Sequence, residues 1–218
     1  MRKLAILVTA ATALLAFPAL SGANNGAATP ASPGLVDPLP DPGPLCGDQI
    51  FEQPFLDWND LRDYTLAPNG SFESGLDGWI VSDGVEVRPH GNWFRPDAGT
   101  SALFMPPDSS AVSPPICVTP DYPAARLFGK TLTSGPSAAS LRVKVIFPPT
   151  EAGGEPKAKP AGTLRRERTW DATRKFAISP GQVARAAGPD GTTMIRLRFA
   201  TRDASWLLDD LLVDPRAR

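Results

Sequence analysis

Two stretches of strict alternation constrain this chain more than anything else in it. Leu141, Val143, Val145 and Phe147 alternate with Arg142 and Lys144, and Thr193, Ile195, Leu197 and Phe199 alternate with Arg196 and Arg198. A period of two puts one set on a buried face and the other in water, so both read as half-buried β-strands with a basic solvated side. Shorter β-rich runs surround them at 79–82, 85–88, 101–105, 110–113, 116–119, 126–129, 175–178 and 205–213. Turn chemistry separates the runs, as in Ser82-Asp83-Gly84, Pro106-Pro107-Asp108 and Gly188-Pro189-Asp190-Gly191. Apart from the first residues of the chain, no segment sustains a 3.6-residue apolar period. Many short antiparallel strands predict an all-β sandwich or jelly roll. The Gly-, Pro- and Lys-rich stretch 151–160 reads as a surface loop.

Ahead of the strands the chain changes character twice. Arg2 and Lys3 precede an apolar or small run from Leu4 to Phe17, and Ser21-Gly22-Ala23 offers small residues for cleavage, so 1–23 reads as an export signal forming a helix. The run is shorter than the ~18 to 20 residues that span a bilayer, so no membrane association is expected after cleavage. Residues 24–45 carry Pro30, Pro33, Pro38, Pro40, Pro42 and Pro44 and read as an extended linker without a core. Residues 46–68 bring Phe51, Phe55, Trp58 and Tyr64, and are expected to form an arm packed on the sandwich, with a short helical turn at Asp60-Leu61-Arg62-Asp63. The sandwich itself is expected over 69–215.

An exported chain with two cysteines, Cys46 and Cys117, is most simply read as carrying one disulfide. A closed loop of about 70 residues stabilises by roughly 4 kcal/mol in the chain-entropy model. A thiolate metal site lacks partners, since His90 is the lone histidine and no C-x-x-C pair occurs. With 218 residues, 42% of them hydrophobic and a net charge of −1, the chain has room for one sizeable core and no field to draw nucleic acid.

No catalytic signature stands out. G-x-S-x-G, P-loop and H-E-x-x-H motifs do not occur, which predicts a non-enzyme. The best binding candidate is His90-Gly91-Asn92-Trp93-Phe94-Arg95. There Trp93 would stack on a pyranose face while His90, Asn92 or Arg95 hydrogen-bonds hydroxyls. The plainer alternative is that Trp93 or Phe94 covers one end of the sandwich. Trp170 with Arg168 and Arg174 is a weaker candidate.

Two motifs carry a family resemblance. Asn69-Gly70-Ser71-Phe72-Glu73-Ser74-Gly75-Leu76-Asp77-Gly78-Trp79 and Trp206-Leu207-Leu208-Asp209-Asp210-Leu211 together resemble the opening and closing motifs of carbohydrate-binding modules of the galactose-binding-like jelly-roll superfamily. Through Gln53-Pro54-Phe55-Leu56-Asp57-Trp58, Tyr64-Thr65-Leu66-Ala67-Pro68 and Val213-Asp214-Pro215 the chain also resembles a set of secreted actinobacterial proteins. The resemblance implies that the first and last strands meet. It also implies a structural Ca²⁺ there, held by Glu73 with Asp209 or Asp210 and by backbone carbonyls. The alternative is that Glu73 caps a turn and the aspartates accept from backbone N–H groups. In the last strand Trp206 and Leu208 fit one phase and Leu211 and Val213 the other, which a β-bulge at Asp209-Asp210 would reconcile. The functional expectation is a secreted, monomeric, non-catalytic module binding polysaccharide or cell-wall glycan weakly. A surface adhesin with a protein partner is the alternative, and a jelly-roll glycoside hydrolase or lyase a remote one.

Overall fold

The two alternating stretches form the centre of one sheet. In the computed structural model, which describes residues 46–47, 49–132, 140–165 and 167–215, they are β8 (Ser140–Phe147) and β12 (Thr193–Arg202), antiparallel with Leu197 opposite Val145 and Phe199 opposite Val143. Leu141, Val143, Val145, Phe147, Ile195, Leu197 and Phe199 are buried, while Arg142, Lys144, Met194 and Arg198 face solvent. The expected export signal and proline-rich linker lie outside the described residues, all of which fall within one compact unit, Pro42–Arg218.

The rear sheet runs β2 (Ile80–Val81), β5 (Ser110–Val112), β12, β8, β9 (Lys157–Arg165), with β6 (Ile116–Val118) also on β12. The front sheet runs β10 (Asp171–Ala172), β7 (Ala124–Thr131), β13 (Trp206–Asp214), β4 (Ala102–Met105), β3 (Glu86–Arg88), with β1 (Thr65–Leu66) on β13 and β11 (Phe176–Ala177) on β7. All pairings are antiparallel, and successive strands such as β4 and β5, β7 and β8, and β12 and β13 lie in opposite sheets. That crossing between layers makes the sandwich a jelly roll. Its main core gathers residues from both inner faces, including Phe72, Trp79, Leu103, Leu127, Val143, Leu197, Phe199 and Trp206.

Strand β13 is buried on both sides. Its pairing with β7 shifts register between Asp209 and Leu212, where Asp210 takes a left-handed φ of 45°. The bulge puts Trp206, Leu208, Leu211 and Val213 all into the main core, and leaves Leu207 and Leu212 to face outward. Both phases of the sequence pattern are therefore satisfied at once.

Outward of β13 lies a second apolar cluster: Phe55, Tyr64, Ala102, Phe128, Trp170, Leu207 and Leu212. Segment 46–68 supplies two of these, with Phe55 edge-on to Tyr64 at 5.0 Å and 5.3 Å from Phe128. Its carboxylate Asp60, only 5% exposed, accepts from Tyr64 Oη at 2.8 Å and Arg126 Nη1 at 2.9 Å. The same guanidinium donates through Nε to Thr173 O at 2.7 Å and lies over the Phe55 ring. Burial pushes the Asp60 carboxyl upward, but Tyr64, Arg126 and Lys175 outweigh it and hold the group below the ordinary range. Cys46 and Cys117 form a disulfide, with Cα atoms 5.5 Å apart, that fastens the start of this segment to β6.

Three local expectations change. The helical turn of the arm is at Leu56–Trp58, because Asp60 turns inward to Tyr64 and Arg126. The stretch 151–160 is only partly loop: β9 begins at Lys157 and tolerates Pro160 because it is the edge strand and shifts register there. A seven-residue helix, α1 (Pro180–Ala186), also forms, with Pro in its first turn and Val183 as its single buried residue. One inward contact leaves no periodic trace in the sequence.

Candidate functional site

The first and last motifs meet. Leu211 N donates to Gly70 O at 3.0 Å, and Ala67 N donates to Leu211 O at 2.9 Å. A Cβ on Gly70 would stand 2.7 Å from Leu211 O, so only glycine allows the approach. Asn69, at φ 47°, ties the opening turn together by donating through Nδ2 to Gly75 O and Asp77 O, both at 3.0 Å, while Trp79 Nε1 donates to Asn69 O. The motif thus encodes a plug of Phe72 and Trp79 in the core.

The loop 89–95, between β3 and β4, is held by β13. Asn92 is buried, and both its backbone N (2.8 Å) and its Nδ2 (2.9 Å) donate to Asp209 Oδ2. The same Nδ2 donates to Asp210 Oδ2 at 2.7 Å, while Asn92 Oδ1 accepts from the N–H groups of Phe94 and Arg95. Arg95 turns inward too, with Nη1 3.0 Å from Asp210 Oδ1 and Nη2 paired with Glu52. Gly91 packs so closely on Thr100 that a Cβ would lie 2.8 Å from its carbonyl carbon. Burial, and secondarily the neighbouring Asp210 charge, push the Asp209 carboxyl up to about 7. Asp210 is also raised, mainly by burial, with Arg95 opposing.

The expected ligand-binding set therefore divides. Asn92 and Arg95 turn inward as structural anchors, Asn92 hydrogen-bonded to Asp209 and Asp210 and Arg95 ion-paired with Asp210 and Glu52. His90 and Trp93 face solvent, with Trp93 60% exposed. Phe94, on the same loop, stacks on Phe128 at 5.2 Å, meets Trp58 edge-on at 4.9 Å and lies 5.6 Å from Trp93. Trp58 Nε1 donates to Asp171 Oδ1 at 2.7 Å. The outcome is an aromatic ledge, Trp93–Phe94–Trp58, bordered by Asp171, with the exposed His90 on the same loop as Trp93. Trp58 and Asp171 join it through folding alone; their positions in the sequence carry no signal of it. Trp170, the other expected platform, is buried with Lys130 over its ring.

The acids proposed for calcium are spent differently. Glu73 Oε1 accepts from Thr100 N at 2.8 Å and Ser101 N at 2.7 Å, capping that turn. Asp209 Oδ1 accepts from Asp210 N, and the remaining aspartate oxygens belong to Asn92 and Arg95. Calcium requires six to eight oxygens. Among the described residues no group of three acidic, histidine or cysteine side chains gathers to hold a metal. The donors do not fit that ion: Arg95 already supplies the positive charge.

No protein-family model matches this chain, and no curated protein sequence matches it either. Among solved structures it is similar to the Clostridium thermocellum endo-1,4-β-D-xylanase 10B CBM22-1–GH10 modules complexed with xylohexaose, at 16% identity and a TM-score of 0.49, over 67% of this chain and 28% of that one. It is similar to the CBM22-2 xylan-binding domain of Paenibacillus barcinonensis Xyn10C, at 9% identity and a TM-score of 0.48, over 67% and 97%. It is also similar to a family 16 carbohydrate-binding module, at 16% identity and a TM-score of 0.44, over 68% and 99%. Identities this low describe a likeness of fold and leave ligand and site to the residues themselves.

Proposed function

We propose that this chain is a secreted, non-catalytic carbohydrate-binding module whose ligand lies on the Trp93–Phe94–Trp58 ledge. The observation that carries this reading is the contrast at Trp93. A buried network of Asn92, Arg95, Asp209 and Asp210 fixes the loop, and the side chain it presents is a largely exposed indole. An apolar ring presented to water from an anchored loop is what a pyranose face stacks on. His90 and the edge of Asp171 supply polar groups for hydroxyls. Binding without bond cleavage is the reading because the carboxylates beside the loop are committed to Asn92 and Arg95. Export is supported by the disulfide and by the composition of residues 1–23.

The test is affinity electrophoresis and calorimetry against xylan, galactan and β-glucan, with xylohexaose and β-1,4-galactotriose as short probes. Binding to at least one, weakened tenfold or more in Trp93→Ala with an unchanged melting temperature, is expected. A folded protein that binds none of them overturns this reading in favour of a surface protein with a protein partner.

A further inference from the structure

Beside Asp171, where the end strands β9 and β10 of the two sheets lie, the sandwich holds a pocket. It occupies about 350 Å³ between β9, β10, β7 and β13, and Thr163, Arg165, Glu167, Asp171, Arg174 and Trp206 contribute to its wall. One of its lining residues holds an unusual polar group. Trp206 is fully buried, yet its indole Nε1–H has no hydrogen-bond acceptor among the described residues. Buried N–H groups are nearly always paired, and one left over points to a partner outside the chain.

The surrounding sequence makes room for such a partner. Along the inward row of β7 the residues are Ala125, Leu127, Gly129 and Thr131, and Gly129 is the one that faces this pocket. A Cβ there would meet its nearest neighbour, Leu127 Cδ1, at 3.4 Å, an ordinary contact, so neither packing nor backbone strain requires glycine at this position. The missing side chain simply keeps the pocket open beside Trp206. Two arginines, Arg165 and Arg174, and two acids, Glu167 and Asp171, belong to its lining, so their formal charges balance. Burial, and then the Asp171 charge, raise the Glu167 carboxyl, as its position facing a second acid implies.

We infer that this pocket takes a single neutral polyhydroxylated ring, the terminal sugar of a glycan, with Trp206 Nε1 donating to a ring hydroxyl and Glu167, Asp171, Arg165 and Arg174 pairing vicinal hydroxyls. Hydroxyls both donate and accept, which suits a lining that holds both arginines and acids. Balanced charge disfavours a free anion or cation. The volume is at the low end for ligand sites and suits one ring rather than a chain. The ligand class rests on the carbohydrate reading above. The pocket itself is a separate site, sharing only Asp171 with the ledge.

The test follows the indole N–H resonances of the ¹⁵N-labelled full chain during titration with xylose, galactose, glucose and mannose. The resonance absent from Trp206→Phe identifies this group. A saturable shift of that resonance with at least one sugar, weakened about tenfold in Glu167→Gln, is expected. Gly129→Ala, which narrows the pocket without strain, should also weaken it and serves if Trp206→Phe does not fold. Trp93→Ala should weaken polysaccharide retention tenfold or more yet leave the Trp206 shift intact, which separates failure of the ledge from failure of the pocket. A Trp206 resonance unmoved by every sugar, or moved only by charged probes such as acetate or guanidinium, overturns the inference.

Discussion

Asp60 and the Asp209–Asp210 doublet are all buried carboxylates tied to the front sheet, yet burial leaves them in opposite states. Asp60 is alone, with Tyr64 and Arg126 donating to it and Lys175 nearby, and its carboxyl is held below the ordinary range. The doublet has two adjacent acids sharing one amide and one guanidinium, and Asp209 is pushed up to about 7. The desolvation penalty is common to both; the number of cations and donors per carboxylate decides the sign. One arrangement clamps segment 46–68 to β7. The other holds the loop that carries Trp93, and keeps one acid close to protonation.

The largest effect expected is at the clamp. Arg126→Ala takes from buried Asp60 its hydrogen-bonded cation, leaving Tyr64 and the more distant Lys175, and should cost about 3 to 5 kcal/mol in denaturant unfolding. A loss under about 1 kcal/mol would mean that the clamp does not hold the arm. Next comes Arg95→Ala, which leaves Asp210 without its cation and should cost about 2 to 4 kcal/mol, with glycan binding weakened because the Trp93 loop loses an anchor. Equal losses of binding in Arg126→Ala and Arg95→Ala would erase the distinction between the two regions.

The pH dependence sharpens the comparison further. Asp60 has a folded-state value below its unfolded one, so its contribution is present above about pH 4 and lost as pH falls below that. Asp209 is the reverse. Its ordinary value is 3.8 and its folded value about 7, so between those limits the folded state binds a proton that the unfolded state does not, and stability falls as pH rises through the window. Asp209→Asn should flatten that decline, worth a few kcal/mol at most, in melts between pH 4 and 8. Asp60→Asn should leave it in place. The smallest effect is expected from metal: chelator or added calcium should not move the melting temperature, and a stabilisation by calcium would show that Glu73 and the doublet rearrange to bind it.

Much of the architecture was legible because it rests on local pattern. The alternation of β8 and β12 survives directly as a buried and a wet face, and the mixed phase of Trp206, Leu208, Leu211 and Val213 is reconciled by a bulge, although the apolar Leu207 and Leu212 left that phase open in the sequence. The disulfide followed from cysteine count and an expected export signal. Strand β9 was obscured because an edge position tolerates the proline and lysines that elsewhere mark a loop. The site was only half legible. An exposed tryptophan in a polar loop is visible in sequence, but nothing local shows that Asn92 faces two acids 117 and 118 residues away, or that Trp58 will pack on Phe94. Tertiary satisfaction of polar groups turned two presumed sugar ligands into struts.

The position of β13 has a kinetic consequence. It lies between β7 and β4 in space but follows both in sequence, and its pairs with these two strands join residues about 75 to 105 apart in the chain. A chain emerging N-terminus first therefore holds two strands with unsatisfied edges until residues 206–214 arrive to join them. Such non-local closure is slow and leaves sticky intermediates, so translocation of an unfolded polypeptide would meet little competition from premature assembly.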